Sequence, residues 1–589
     1  MTSGWVRVLG WVLVTASSGL HAQDTATGTA TSLASTLTRA LHSQGMTPNA
    51  LTQPSPANPY ATQLFRRFMT EPSHAWAEVD ALSALPSQRP YPSEVLRVFR
   101  VHTESWEDSA SHSPQNTAKP GATTASLATQ AQAPNAVRVP THIPQPLAGQ
   151  LQKALNGLAL AEMWRRHALR RLPADVSPTA LLASALPSAV LAGEKPEGKT
   201  LTESDSATSS WHILAPLVDQ QALYTGARIA LAAAERLHDF VTQSPSLPAV
   251  QWRVDTPAGT VLVDTTGDHN HHVVEHPLLV LDVGGDDRYE LGGARSAPSP
   301  GIRLLLDHGG HDRYHTRTPG SGPSSALLGY GILWDTEGND QHLGGWLTQG
   351  AALLGVALHI DDAGHNHLQA TGLAQGFAIG GTALLLGSPG HDRYLAQTLA
   401  QASAGPLGQA LLLDPAGNDQ YHLGNEVLVW PSSQLPDRNA SMGQGAGFGQ
   451  GHPHLPGGLA LLIDARGNDR YHAQVFAQGA GLRQGAGLLL DQDGNNLFQA
   501  AWYAMGAAAH HAVGLIWVST DGNDHYEVSH ISAMGAGHDE AVGMLVDGGG
   551  NDLFMLHDLG LGAAHDGGHG VLVRGFADGH EVANALSDR

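Results

Sequence analysis

The chain contains no cysteine, which excludes disulfides, thiolate metal sites, a cysteine nucleophile and a lipid-modified N-terminal cysteine. Positive charge is scarce: 31 Lys and Arg stand against 53 Asp and Glu, a formal net charge of −22. Without a basic excess to displace counterions, nucleic acid is excluded as an expected partner. Cations, cationic polymers or plain solubility suit this balance instead. Charge of either sign is sparse, 14% of 589 residues, so the acidity is dilute. No apolar run after the N-terminus approaches the roughly 18–20 residues of a membrane span. The N-terminus itself reads as a secretory signal peptide over residues 1–22. Arg7 precedes the apolar stretch Val8–Val14, and Leu20-His21-Ala22 before Gln23 fits a small-residue cleavage site. A periplasmic or extracellular address is the expectation.

Glycine, by contrast, is abundant at 69 residues, without the every-third spacing of collagen. It recurs inside one repeated phrase, Leu-Leu-x-Asp-x-x-Gly-Asn-Asp-x-Tyr, as in Asp414–Tyr421, Asp464–Tyr471 and Asp547–Phe554. The marking glycines are Gly267, Gly285, Gly310, Gly338, Gly364, Gly390, Gly417, Gly467, Gly494, Gly522 and Gly550. They step by 18, then by 25–28, with one gap of 50. A fixed period of this kind marks a solenoid. Each period holds three short strand candidates, which suits one rung of a parallel β-helix, rungs stacking at roughly 4.8 Å. The fold class read from the chain is therefore α+β multidomain: a helical region over 23–250, then a parallel β-helix or β-solenoid of about 11–12 rungs over 251–575, and a tail, 576–589. Segments such as Gln150–Trp164 and Tyr224–Val241 carry the helical periodicity. A Ser, Thr, Ala, Pro and Gln-rich linker lies near 109–144. The helical region reads as a cap or docking domain, because a solenoid end leaves an open sheet edge. The long gap reads as an insertion near 425–441 on one rung, and such insertions often sit on the binding face.

Stacking the repeats puts like residues in columns. Asn339, Asn418, Asn468, Asn495, Asn523 and Asn551, with His311, His365 and His391 at the same place, form a turn column whose amides meet from rung to rung. Two acidic columns flank it. The first runs Asp282, Asp307, Asp335, Asp414, Asp464, Asp491, Asp547, and the second Asp287, Asp312, Asp340, Asp392, Asp419, Asp469, Asp524, Asp552. Carboxylates one rung apart repel by about 1 kcal/mol in water and several at an effective dielectric near 20. Arg288, Arg313, Arg393 and Arg470 are placed to help in four rungs only. Elsewhere two answers stay open: each Asp caps its own turn with its outer oxygen in water, or hard cations, Ca²⁺ foremost, lie between turns. Gly548–Phe554 and Gly309–Tyr314 resemble the Gly-Gly-x-Gly-x-Asp nonapeptide of repeats-in-toxin proteins, a likeness that implies calcium between stacked turns. That family repeats every nine residues and this chain about every 27. Over 254–573 the pattern is also similar to that of uncharacterised exported bacterial proteins with the same repeat, which implies a fold and no activity.

Toward the C-terminus the loop before each Leu run changes to Arg483-Gln484, His510-His511, His538-Asp539-Glu540, then His565-Asp566 and His569. These should form a patch on one face, with the residue types of a Zn²⁺-type site or an acid/base pair; an exposed polar ladder is the plainer reading. A second cluster, His269, His271, His272 and His276, is expected to face water. Trp430, Trp502 and Trp517 are candidate sugar platforms. Two functions follow. The first is a non-enzymatic exported solenoid, calcium-stabilised, presenting a long face to a polysaccharide or protein partner. The second, resting on fold analogy, is a secreted polysaccharide lyase or hydrolase.

Overall fold

Each repeat closes into one coil because its Leu-rich strand, its Asn-Asp turn and its Gln-Gly turn change the chain direction three times. In a computed structural model of the protein the coils stack as a parallel β-solenoid of about ten turns. The structure describes residues 32–43, 46–52, 67, 71–88, 91–101, 137–174, 176–185, 214–244, 246–293, 301–450, 456–519, 522–530, 532–556, 561–575 and 582–587. The expected signal peptide, residues 109–136 of the expected linker, and the tail apart from 582–587 lie outside the described residues.

Among the described residues the first sheet has fourteen strands, the second eleven and the third nine. Sheet 1 gathers the six-residue Leu strands, in register from rung to rung, as in Leu461↔Leu488 and Leu488↔Leu515. Its terminal strands, Gln251–Thr256 and Val582–Ser587, pair antiparallel with their neighbours and so cover the last parallel strand at each end. Sheet 2 follows the Asn-Asp turn and sheet 3 the Gln-Gly turn. The turn count falls short of 11–12 because the first period, 18 residues long, runs from sheet 1 to sheet 2 and back; sheet 3 begins only at Ser325–Leu327. The 50-residue step is one rung, since Gln409–Asp414 pairs directly with Leu459–Asp464. Its surplus sits in two places, between Leu423 and Ala440 and between Phe448 and Leu459.

The interior is built from like-on-like stacks. Tyr394, Tyr421, Tyr471, Phe498, Tyr526 and Phe554 pile with ring centroids 4.6–5.1 Å apart and planes within 8°. Leu385, Leu412, Leu462, Leu489 and Ile516 face them across the coil. At the next corner Gln349, Gln375, Gln401, Gln444 and Gln478 all take left-handed backbone, φ 53–60°, a conformation costing roughly 1–2 kcal/mol for a side-chain-bearing residue. Bridging offsets it: the Gln444 amide donates to the Tyr421 and His472 carbonyls at 2.9 and 3.0 Å and to Gln401 Oε1 at 3.0 Å.

The opposite side of the Leu strands is apolar and buried too: Leu461, Ile463, Leu488, Leu490, Leu515 and Trp517 are at most 5% exposed. Strands covered on both faces read as unbroken apolar runs. Helices Leu147–Ala168 and Gln220–Thr242 pack on each other and against sheet 1 at its strands Ile302–Asp307, Tyr330–Asp335 and Val356–Asp361. Arg165 donates to the Leu328 carbonyl at 2.9 Å, Gln220 to that of Gly380 at 3.2 Å, and His238 stacks on Trp334 at 4.1 Å. These two helices form a side layer, whereas the helix Leu33–Ser43 packs on the terminal strand Val582–Ser587, as a cap would.

The repeat glycine is obligatory where turns meet. A Cβ on Gly494, at φ +110°, would fall 1.3 Å from the Gly467 carbonyl oxygen, and one on Gly467 would fall 1.8 Å from that of Gly417. Gly494→Ala is expected to destabilise by about 2 kcal/mol or more, read as a lowered denaturant midpoint; Gly345→Ala, which meets nothing within 4 Å, should leave it within about 0.5 kcal/mol.

Candidate functional site

The Asn-Asp turns stack into a corner wired by two ladders. In the outer one, each Asn or His accepts the backbone N–H of its equivalent in the following rung. Asn418 Oδ1 accepts from Asn468 at 2.8 Å, Asn468 from Asn495 at 2.9 Å, Asn495 from Asn523 at 2.8 Å, and His391 Nδ1 from Asn418 at 2.8 Å. In the inner one the second acidic column does the reverse, accepting from the rung before: Asp419 Oδ1 from Asp392 at 2.5 Å, Asp469 from Asp419 at 2.6 Å, Asp340 from Asp312 at 2.6 Å. Every turn is thus tied forward and backward.

The first acidic column ends the sheet 1 strands. One oxygen caps its own turn, as Asp547 Oδ1 does by accepting from Gly549 at 3.0 Å, Asp307 from Gly309 at 3.3 Å and Asp464 from Arg466 at 3.2 Å. The other oxygen accepts from the ring column. Tyr289 donates to Asp282 at 3.0 Å and to Asp307 at 2.7 Å, Tyr314 to Asp307 at 2.9 Å and Asp335 at 2.6 Å, and Tyr394, Tyr421 and Tyr471 reach Asp414, Asp464 and Asp491 at 2.7–2.8 Å. These links join residues up to 43 positions apart and were not read from the sequence.

The expectation of an outer carboxylate oxygen in water is overturned. Asp282, Asp307, Asp335, Asp414, Asp464, Asp491 and Asp547 are 0–1% exposed, and Asp287, Asp312, Asp340, Asp392, Asp419, Asp469 and Asp524 are 0–3% exposed; only Asp552, in the last turn, is half-buried. Neighbouring rungs cover each carboxylate above and below. The arginines do not reach them either. The residue after each second-column Asp starts a sheet 2 strand and points outward, so Arg288 pairs with Glu290 at 2.7 Å, while Arg313, Arg393 and Arg470 are exposed and make no ion pair among the described residues.

Most turns consequently keep a carboxylate oxygen without a donor; the rungs of Asp392, whose second oxygen accepts from Ser388 at 3.0 Å, and of Asn496 do not. The second oxygens of Asp287, Asp312, Asp340, Asp419, Asp469 and Asp524 are buried without a hydrogen-bond partner, as are Asp335 Oδ1 and Asp361 Oδ2. Among the described residues four groups converge with all three donor atoms within 4.8 Å of one another: His272, Asp282, Asp287; Asp307, Asp312, Asp335; Asp414, Asp419, Asp464; and Asp524, Asp547, Asp552. Burial, and behind it the neighbouring carboxylates, pushes Asp312 up to about 9, Asp419 and Asp547 to about 8, and Asp307, Asp340, Asp469 and Asp524 to about 7. A stack like this must hold protons or cations near neutrality.

His272 corrects a second expectation: instead of facing water it is 8% exposed, with Nε2 3.0 Å from Asp282 Oδ2, in the place that tyrosine takes in later rungs. Asn366 and Asn496 occupy the second column in their rungs and keep its ladder, accepting at 2.7 and 2.8 Å. Both could have been found by counting from Gly364 and Gly494.

The histidine-rich end also forms a ladder. His510 lies 2.7 Å from Asp539, His511 3.2 Å from Glu540 and His538 3.5 Å from Asp566, all part-exposed, with the His538 and His565 rings 6.4 Å apart. These are pairs between rungs, and none of the four convergent groups lies here. Of the tryptophans, Trp517 is buried and offers no platform; Trp430 and Trp502 are partly exposed.

Asp419→Asn should keep the ladder acceptor, as Asn496 does while also donating to Asp491 at 2.8 Å, and it removes one buried charge. In chelator at pH 8 it is expected to stabilise by about 1–3 kcal/mol, whereas Asp419→Ala should destabilise by a similar amount. Denaturant midpoints of the two variants check this; equal losses in both would show that the charge itself holds the turn. No family model matches the chain, and no curated protein or solved structure is significantly similar to it.

Proposed function

We propose that this protein is an exported, non-enzymatic β-solenoid whose stacked Asn-Asp turns take up calcium between rungs and whose outer face binds a polysaccharide or protein partner. The observation that carries the calcium reading is the set of buried second oxygens, those of Asp287, Asp312, Asp340, Asp419, Asp469 and Asp524, that no donor satisfies. Groups such as Asp307, Asp312, Asp335 and Asp414, Asp419, Asp464 would hold the ion. Their donor set is all oxygen, which suits a hard cation with six to eight ligands better than zinc; the group containing His272 is the exception. Bound calcium would supply the positive charge that the arginines do not bring to these columns. The resemblance to repeats-in-toxin turns supports the same reading, with one such turn per rung. The outer arginines and the chain built out beside them favour binding as the role of the exposed face.

The pH dependence tests this with a defined sign. Folded, Asp287 titrates at about 6 and Asp312 at about 9, with Asp307, Asp340, Asp419, Asp469, Asp524 and Asp547 between them, against about 4 in an unfolded chain, so the folded state binds more protons between those values. Without metal, stability should be highest near pH 4 and fall as pH rises toward 9. Calcium at 100 times its dissociation constant should restore about 2.7 kcal/mol per site, release protons on binding, and raise the melting temperature more at pH 8 than at pH 5. Identical melting in calcium and in chelator at pH 8 would remove calcium from the reading.

A further inference from the structure

The surplus chain in the 50-residue rung does not hang free. Asn439, fully buried, accepts at Oδ1 from the backbone of Val429 and Trp430 at 2.9 and 3.0 Å and donates to the Gly424 and Val427 carbonyls at 3.2 and 2.8 Å. Its own N–H goes to Asn425 Oδ1 at 2.8 Å. Asn425 and Asn439 thereby clip the loop shut and hold its Glu426–Val427 corner as a fixed wall over sheet 2. Beneath that wall runs a groove of about 650 Å³, within the size range of small-ligand sites.

The floor of the groove is a column of first-position residues of sheet 2, Arg393↔Gln420↔Arg470, in direct register. The two guanidiniums are thus two rungs, roughly 10 Å, apart along the solenoid axis. Both are exposed and free of ion pairs among the described residues, in a chain of net charge −22. Behind them His422 and His472 stack at 4.8 Å. The Glu426 carboxylate is hydrogen-bonded within the wall: His422 lies 2.9 Å from one oxygen, and Gln397 donates to the other at 3.2 Å. Val427, 58% exposed, leaves an apolar lip. Unpaired planar guanidiniums at a fixed interval select carboxylates bidentately, and the amides between them serve hydroxyl groups. The surrounding negative field disfavours densely charged phosphate polymers.

We propose that this groove is a binding site for an acidic oligosaccharide, a carboxylate-bearing sugar chain laid along the solenoid axis with its carboxylates on Arg393 and Arg470. The proposal deepens the reading of the outer face as a binding surface and is independent of calcium in the turns. The test is calorimetric titration of the full chain, in saturating calcium and again in chelator at pH 5, with a galacturonic acid trisaccharide, its methyl ester, the neutral galactose trisaccharide and a glutamate tripeptide. Expected is binding of the acidic sugar alone, weakened at least tenfold in Arg393→Ala/Arg470→Ala and also in Gln420→Glu, which puts a repelling carboxylate between the guanidiniums. Unchanged circular dichroism should accompany both variants, since all three side chains are exposed. Glu426→Gln should hold or improve affinity. Equal binding of the ester or neutral sugar, preference for the peptide, no binding by the unaltered chain, or variants that bind as well as it does would each overturn the proposal. Sugar binding that persists without any calcium effect on melting would overturn the calcium reading alone.

Discussion

The structure depends on one coincidence of lengths: backbone hydrogen bonding between parallel strands and side-chain stacking share the same step of roughly 4.8 Å. Once coils lie in register, the core and turn side chains mostly meet their own kind above and below. Flat rings stack at 4.6–5.1 Å, and a short carbonyl-bearing side chain reaches the next turn's N–H. Turns that lack strand pairing would otherwise leave backbone donors unsatisfied in the interior. Here the outer Asn or His ladder satisfies one N–H from the preceding rung, and the inner Asp ladder satisfies the next from the following rung. Opposite polarity is what locks the corner, because sliding one rung along its neighbour breaks both ladders at once.

How far this could be read from sequence follows from where each signal lies. The period, the three strands per coil and the Asn column were legible because they repeat at fixed offsets, and a stack needs nothing more than equal spacing. The tyrosine to aspartate links were not, since Tyr421 and Asp464 are 43 residues apart and become neighbours only when the coil closes. Nor was the burial of the carboxylates: a polar turn normally faces water, and this one is roofed by copies of itself. The helical layer had a signal that went unused. Strands such as Tyr330–Asp335 and Val356–Asp361 are buried throughout, which requires a cover on both faces, and the helices supply the outer one. His272 was assigned to solvent by its place among other histidines, whereas its register opposite Tyr289 puts it in the ring column.

The two exceptional regions of the solenoid differ in how they depart from the repeat. At the long rung the strands stay in register and extra chain is added outside, so the coil keeps its core while gaining a wall clipped by Asn425 and Asn439. At the C-terminal turns nothing is added. His510, Asp539, Glu540 and Asp566 adopt left-handed backbone, as Gln484 does at the equivalent turn, and their side chains pair between rungs near the surface. Added chain creates concavity, and substituted turn residues create a ladder; only the former gives a small molecule something to enter.

The rungs also act as internal controls on one another. Where Asn366 and Asn496 stand in the inner column, the N–H of the preceding turn is accepted as well as it is by Asp, so the ladder requires an acceptor and no charge. Asparagine moreover finds a use for its second atom: Asn496 donates to Asp491 and Asn366 to Ser388. Aspartate in the same place leaves that atom buried and unpartnered at Asp312, Asp419 and Asp469, beside other carboxylates, at a cost in desolvation and repulsion that asparagine would avoid. Folding alone therefore favours asparagine at these three positions. The aspartates there would gain from that position only with a positive charge beside them, whether a bound cation, as proposed above, or the proton that their raised titration lets them keep near neutrality.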